Sequence, residues 1–259
     1  MIFIIFTGLY KMKQYNYYKN IELFKKFMEE IKKNGVLKTL HKSLKYAEDM
    51  IISRFLFLKS KKQFYFKGKK LNYFYHRYNK TWKNERAIEI PIALEYLSRY
   101  QNKKILEIGN VLNHYLNVNH VVIDKYEIFP GVINKDIENI CLNDKFDLII
   151  SISTIEHIGL DDYPKDPEKA IRTLKKLKKK FLKKDGIILI SFPVGYNEKI
   201  SEMINKNKLS NFEMFCFKKI NEKENIWKEV EYKEVKNYKY SQPVKAVCFL
   251  KLTNKTKIK

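Results

Sequence analysis

Three acidic residues close apolar runs in the second half of the chain. Lys104-Ile105-Leu106-Glu107-Ile108-Gly109 carries an acid just ahead of a glycine, His120-Val121-Val122-Ile123-Asp124 ends on one, and Asp136 follows Gly131-Val132-Ile133-Asn134. A carboxylate at a strand tip can accept two hydrogen bonds from ribose hydroxyls, and an acid one strand further on can accept from the exocyclic amine of adenine. The glycine lets a ligand approach the backbone closely. A second constellation, Ile155-Glu156-His157-Ile158, follows Phe146-Asp147-Leu148-Ile149-Ile150-Ser151. Histidine is the side-chain type that exchanges a proton near neutral pH. A Glu156-His157 pair of this kind more often forms a structural hydrogen bond beneath a sheet.

These residues need strands to carry them. The runs at 105–108, 120–124, 146–151 and 187–191 are β-branched and almost continuously apolar, as strands covered on both faces must be. Between the last two, Asp166 as N-cap, Pro167 at the first helical position and the stripe Ala170, Ile171, Leu174, Leu177, Phe181, Leu182 predict a helix that ends at Lys184-Asp185-Gly186. The terminal runs 227–235 and 245–252 read as a closing antiparallel pair. The fold class is therefore α/β, a Rossmann-like doubly wound and mostly parallel sheet with an antiparallel C-terminal edge. Ligands bind such sheets at the carboxyl ends of the strands, where the strand order reverses.

Residues 1–100 read differently, as a helical extension with a hairpin. Leu23, Phe24, Phe27, Met28 and Ile31 predict a helix ending near Gly35, and Leu40, Leu44, Ala47, Ile51 and Phe55 fall on one stripe of a second. Two aromatic runs flank Lys67-Gly68-Lys69, which predicts a hairpin, and a helix with Pro91 inside it runs from Asn84 towards Tyr100. The expected domains are 1–100, a possible lid, and 101–259.

The length of 259 residues allows a proper core, and 45% apolar content excludes a disordered chain. The 52 Lys and Arg outnumber the 29 Asp and Glu, giving +23, which attracts any polyanion. The lysines are spread everywhere and no RNA-binding signature accompanies them, so nucleic acid is a possible partner that nothing specific indicates. Cys141, Cys216 and Cys248 lie far apart with no ligand spacing, which predicts no disulfide scaffold, no metal site and a reducing, cytoplasmic setting. Residues 1–10 are apolar but too short to span a bilayer, and their positive charge follows rather than precedes them; Met12 is an alternative start.

The order L-E-x-G, strand-ending Asp, later Asp, F-D-L-I-I-S and I-E-H-I resembles the class I (Rossmann-like) S-adenosylmethionine-dependent methyltransferases over residues 103–197. The resemblance implies S-adenosylmethionine as cofactor. It implies that Glu107 and Gly109, with Asn110 beside them, approach its methionine part, that Asp124 holds the ribose, and that Asp136 and Ile137 frame the adenine. Ser151 to Thr154, Ser153 among them, would line the floor near the sulfonium. Two departures stand out. Val111 and Asn113 replace the second and third glycines of the usual loop, and only 15 positions separate Gly109 from Asp124, which trims the unit. On the acceptor side, Tyr78, Asn79, Trp82 and Arg86 in the H-R-Y-N-K-T-W-K-N-E-R run can form a lid, and Tyr196 and Asn197 follow the fifth strand at the rim. The expected activity is methyl transfer to a small or glycosidic acceptor, with His157 and Glu156 as catalytic candidates. The alternatives are a non-catalytic Rossmann-like binding module and an RNA methyltransferase.

Overall fold

The computed structural model describes residues 24–25, 27–59, 62–206 and 211–254. The apolar residues 1–10, Met12 and Leu23 lie outside these. The chain divides into two compact units between Lys61 and Lys62. This division lies ahead of residue 100, the boundary expected from the sequence. The hairpin and the helix after it belong to the sheet-bearing unit, because Phe64, Phe66, Ile88 and Ile92 are buried in its core.

In the first unit, residues 27–34 are helical, Gly35 interrupts, and α1 (Val36–Lys59) follows. Thr39 is buried and its hydroxyl donates to the Gly35 carbonyl at 2.9 Å, while Lys42 Nζ bonds Glu30 Oε2 at 2.8 Å from one helix to the other. The expected helix forms, but Leu40, Leu44 and Ile51 of its stripe are exposed, as is Leu37 above them, and the Phe55 side chain lies outside the described ones.

The second unit opens with the hairpin β1 (Gln63–Phe66) and β2 (Lys69–Asn72). Its two-residue turn has positive φ at both Lys67 (51°) and Gly68 (76°), the geometry that matches the right-handed twist of the strands. Next comes α2 (Arg86–Arg99), with Pro91 inside it as expected. The main sheet then forms from β3 (Ile105–Ile108), β4 (Val121–Ile123), β5 (Val132–Ile133), β6 (Phe146–Ile152), β7 (Leu182–Pro193), β8 (Phe212–Asn221), β9 (Ile226–Val230) and β10 (Ala246–Thr253). Its order is β5-β4-β3-β6-β7-β10-β8-β9. Neighbours from β5 to β7 are parallel, and β10 runs antiparallel to both β7 and β8. This is the doubly wound α/β sheet expected from the sequence, reversing its order between β3 and β6.

Alternation along the strands decides which helix covers which face. Leu148, Ile150 and Leu189 point into a core with α2 and the hairpin. Ile149, Ile188 and Ile190 point into the other core, with α3 (Lys169–Lys176) and α4 (Glu198–Asn205). Only a three-residue 3₁₀ turn, Leu112–His114, separates β3 from β4, and no helix separates β4 from β5, so the unit is trimmed as the spacing predicted.

Three local expectations are corrected. The buried stripe Ala170 to Leu182 forms, but α3 runs into a π turn at Leu177–Phe181 and the strand begins at Leu182. Gly186 is thus inside β7 beside a bulge, where a Cβ would come within 2.9 Å of the Phe146 carbonyl oxygen, rather than a helix cap. The terminal runs do not pair with each other: β10 lies between β7 and β8, and residues 227–235 split into β9 and the short helix α5 (Tyr232–Val235). Finally, Cys216 and Cys248 face each other in register across β8 and β10, Cα atoms 4.1 Å apart, and are joined in a disulfide. The antiparallel register unites cysteines that sequence spacing separates by 32 positions.

Candidate functional site

A cavity of about 250 Å³ opens at the carboxyl ends of β3, β4, β5 and β6, at the reversal of strand order. Gly109, Asp124, Asp136, Ile137, Ser153 and His157 all line it. These six of the anticipated residues therefore converge on one hollow, at the place a doubly wound sheet offers a ligand.

Glu107 does not. Its side chain is fully buried, one carboxylate oxygen accepting the N–H groups of Val111 (3.0 Å) and Leu112 (2.8 Å), the other lying 2.8 Å from His120 Nε2. The acid holds the loop that the missing glycines would otherwise have shaped. Asn110 is likewise turned inward: its N–H donates to Asp124 Oδ2 at 2.9 Å and its side-chain oxygen accepts from Asn113 at 2.6 Å. The Ser151 hydroxyl donates to the Ile108 carbonyl at 3.0 Å and fastens β6 to β3. Asn197 caps α4 by accepting from the N–H of Lys199 (3.0 Å) and Ile200 (3.3 Å), and donates to the Glu156 carbonyl at 3.0 Å. Glu107, Asn110, Ser151 and Asn197 are thus engaged by bonds within the fold.

Asp124 lines the cavity with its carboxylate already organised. Besides Asn110, the N–H groups of Tyr126 (2.8 Å) and Glu127 (2.7 Å) donate to it. Three of its roughly four acceptor positions are engaged, which fixes its orientation and leaves one. Gly109 beside it has φ of 88°, and a Cβ there would run into the Thr154 side chain.

Sequence reasoning missed the next wall. Lys169, 8% exposed, places Nζ 2.5 Å from both Asp136 and Asp162, and Lys125 reaches the same two carboxylates at 3.3 and 2.6 Å. Tyr126 also donates its hydroxyl to Asp162. Burial alone would raise the Asp162 pKa, but the two ammonium groups override it and hold it well below the ordinary carboxylate range. Hydrogen bonding to Asp162 raises the Lys125 pKa in turn. The acid at 162 was visible in the sequence, but its partners lie 37 and 7 positions away, beyond any local pattern.

At the opposite rim, His157 Nδ1 lies 2.6 Å from Asp161 Oδ2 and 2.9 Å from the Tyr196 hydroxyl. Burial and the Asp161 charge push the Tyr196 pKa up to about 12, and its ring meets Tyr240 edge-on at 4.7 Å. Holding Nδ1–H on Asp161 leaves the Nε2 lone pair of His157 as the basic position. Glu156 sits behind it, fully buried, with Oε1 3.8 Å from Nε2 and neither carboxyl oxygen hydrogen-bonded. Burial raises its pKa well above the carboxyl range. It does not line the cavity.

Arg86 pairs with the buried Glu89, whose other oxygen accepts from Ser153 Oγ at 2.6 Å. The guanidinium is therefore paired inside the fold. Tyr78 stacks on the His114 ring at 4.0 Å, and Asn79, in left-handed conformation, accepts from Asn84 through its carbonyl. Trp82 is half-buried, and Asn225 donates to the Thr81 and Asn84 carbonyls on either side of it. The structure places none of Tyr78, Asn79, Trp82 and Arg86 on the cavity wall.

The DUF268 family, described as a Caenorhabditis protein of unknown function, matches residues 100–206. Comparison with curated protein sequences finds no match. Among solved structures, the chain is similar to an S-adenosylmethionine-dependent methyltransferase from Clostridium acetobutylicum, at 14% identity, 63% of this chain, 89% of that one and a TM-score of 0.33. It is similar to a TehB-like S-adenosylmethionine-dependent methyltransferase from Corynebacterium glutamicum, at 16% identity, 62% and 85% coverage and a TM-score of 0.36. A third is the plantazolicin methyltransferase in complex with a substrate analogue and S-adenosylhomocysteine, at 12% identity, 64% and 83% coverage and a TM-score of 0.37. These likenesses are of architecture, and the architecture itself, read from strand order and direction, is Rossmann-like.

Proposed function

We propose that this chain transfers a methyl group from S-adenosylmethionine to a small or glycosidic acceptor. The observation that carries the reading is the charge of the cavity. Four aspartates (124, 136, 161 and 162) and three lysines (125, 135 and 169) line it, a formal balance of −1 within a chain of +23. A hollow of that sign suits a cationic sulfonium and not a polyanion.

The residues present fit the cofactor. The remaining acceptor position of Asp124 would take a ribose hydroxyl, Asp136 and Ile137 would border the adenine, and the Gly109 turn would face the methionine part. Bound there, the cofactor would supply an activated methyl group. The protein's part is alignment, which can lower much of the barrier to a direct displacement. Where the acceptor is a hydroxyl, its proton passes to His157 Nε2 while Asp161 holds the ring at Nδ1 and balances the imidazolium charge.

Titration calorimetry with S-adenosylhomocysteine tests the reading: saturable heat and a raised melting temperature are expected, and the absence of both overturns it. The binding-module alternative draws on two observations, the three backbone bonds already on Asp124 and the Thr154 side chain packed against Gly109. It predicts no turnover with any acceptor even where the spent cofactor binds. An RNA methyltransferase would add an RNA affinity that falls steeply with salt.

A further inference from the structure

We infer that the first unit is a docking element that lies flat on an anionic lipid surface. Leu37, Leu40, Leu44 and Ile51 recur at intervals of three, four and seven, which places them within one narrow stripe of α1. They are 84%, 48%, 69% and 71% exposed. The preceding helical residues repeat the pattern, with Phe24 at 65% and Phe27 and Met28 at 40%. Soluble domains bury such stripes, so their exposure here marks a surface that meets an apolar phase.

The flanking charge names the phase. Residues 24–59 carry nine Lys and Arg against four Asp and Glu, and Lys38 and Lys45 lie along one side of the α1 stripe. An apolar stripe edged by lysines matches an interface in which acyl chains lie beneath anionic headgroups. A net charge of +23 on each chain opposes self-pairing through the same stripe. No described helix is long and apolar enough to cross a membrane, which fits a helix lying in the headgroup plane. Thr39, buried on the side of α1 away from the stripe, leaves the apolar edge facing outward.

Vesicle co-sedimentation of the full chain tests this, comparing phosphatidylcholine alone with phosphatidylcholine containing about one-third phosphatidylserine. Two variants accompany the wild type: Leu37→Ser/Leu40→Ser/Leu44→Ser, and Lys38→Glu/Lys45→Glu. All five positions are exposed, so melting temperatures of the variants should stay at the wild-type value. The wild type should pellet with the anionic vesicles at least tenfold more than with the neutral ones, and each variant should lose at least tenfold of that binding. Wild type left in the supernatant, or variants that bind as well as it does, would overturn the inference. So would sedimentation velocity showing a wild-type dimer that the leucine variant converts to monomer, because a second copy would then cover the stripe.

Discussion

The Thr154 side chain occupies the space that a β-carbon at Gly109 would need. With φ at 88°, the position is doubly closed to other residues. Gly109→Ala should cost about 2 kcal/mol or more, from the left-handed backbone and the overpacking together. Thermal denaturation of the single variant and of Gly109→Ala/Thr154→Gly checks this. The double variant should recover part of the loss, and strictly additive effects would separate the two residues.

Asp124 holds both the loop before it and the turn after it, so its removal should act twice. Asp124→Ala is expected to weaken S-adenosylhomocysteine binding by about 1–3 kcal/mol and to lower the melting temperature, since three N–H groups lose their acceptor. Asp124→Asn, which keeps one acceptor oxygen, should fall between. An affinity unchanged in both variants would take Asp124 out of the binding site.

The His157–Asp161 pair predicts a distinctive pattern once an acceptor hydroxyl is in hand. His157→Ala should lower kcat by about 10²–10⁴-fold with cofactor affinity nearly unchanged, and Asp161→Asn should lower it less. Single-turnover rates of the two variants, measured against the wild type at saturating cofactor, check this. Equal activity of both variants would leave alignment alone as the source of catalysis.

Glu156 sets the pH dependence of stability. Its folded pKa is raised by burial, so the folded state holds the proton more tightly than the unfolded chain does. That contribution is complete below the ordinary carboxyl pKa and is lost as pH rises through the raised one, at about 1.4 kcal/mol per unit of separation. Melting temperatures of the wild type should therefore fall towards alkaline pH by more than those of Glu156→Gln, which stays neutral throughout. Parallel curves would show that the buried carboxyl is ionised and compensated.

The cysteines give the simplest measurement. Without reductant, denatured protein should show one reactive thiol, Cys141, and with reductant three. Closing a loop across 32 positions should contribute about 3–4 kcal/mol, visible as a lower denaturation midpoint after reduction.

Much of the sheet was legible because β3, β4, β6 and β7 are covered on both faces and must be apolar throughout. β8 was harder: Phe215 and Phe217 enter one core while Cys216 enters the other, and the lysines at 218 and 219 break the run. The end of α3 misled because Lys184-Asp185-Gly186 has the composition of a helix cap, yet the glycine answers to a bulge against Phe146 and Asp147. In the site, Asp124, Asp136 and His157 were found from their positions at strand ends. The loop bonds of Glu107 were not legible, since an acid that accepts from Val111 and Leu112 has the same sequence signature as one that meets a ligand. The lysine–aspartate wall was invisible because its members come from three separate segments.

That wall has a consequence for selectivity. Lys125 and Lys169 each bridge Asp136 and Asp162, so ion pairs tie together the segment after β4, the start of α3 and the loop between them. Widening this end of the hollow would mean pulling opposite charges apart where water is scarce. A bulkier guest should therefore be disfavoured at that end, by the cohesion of four ions.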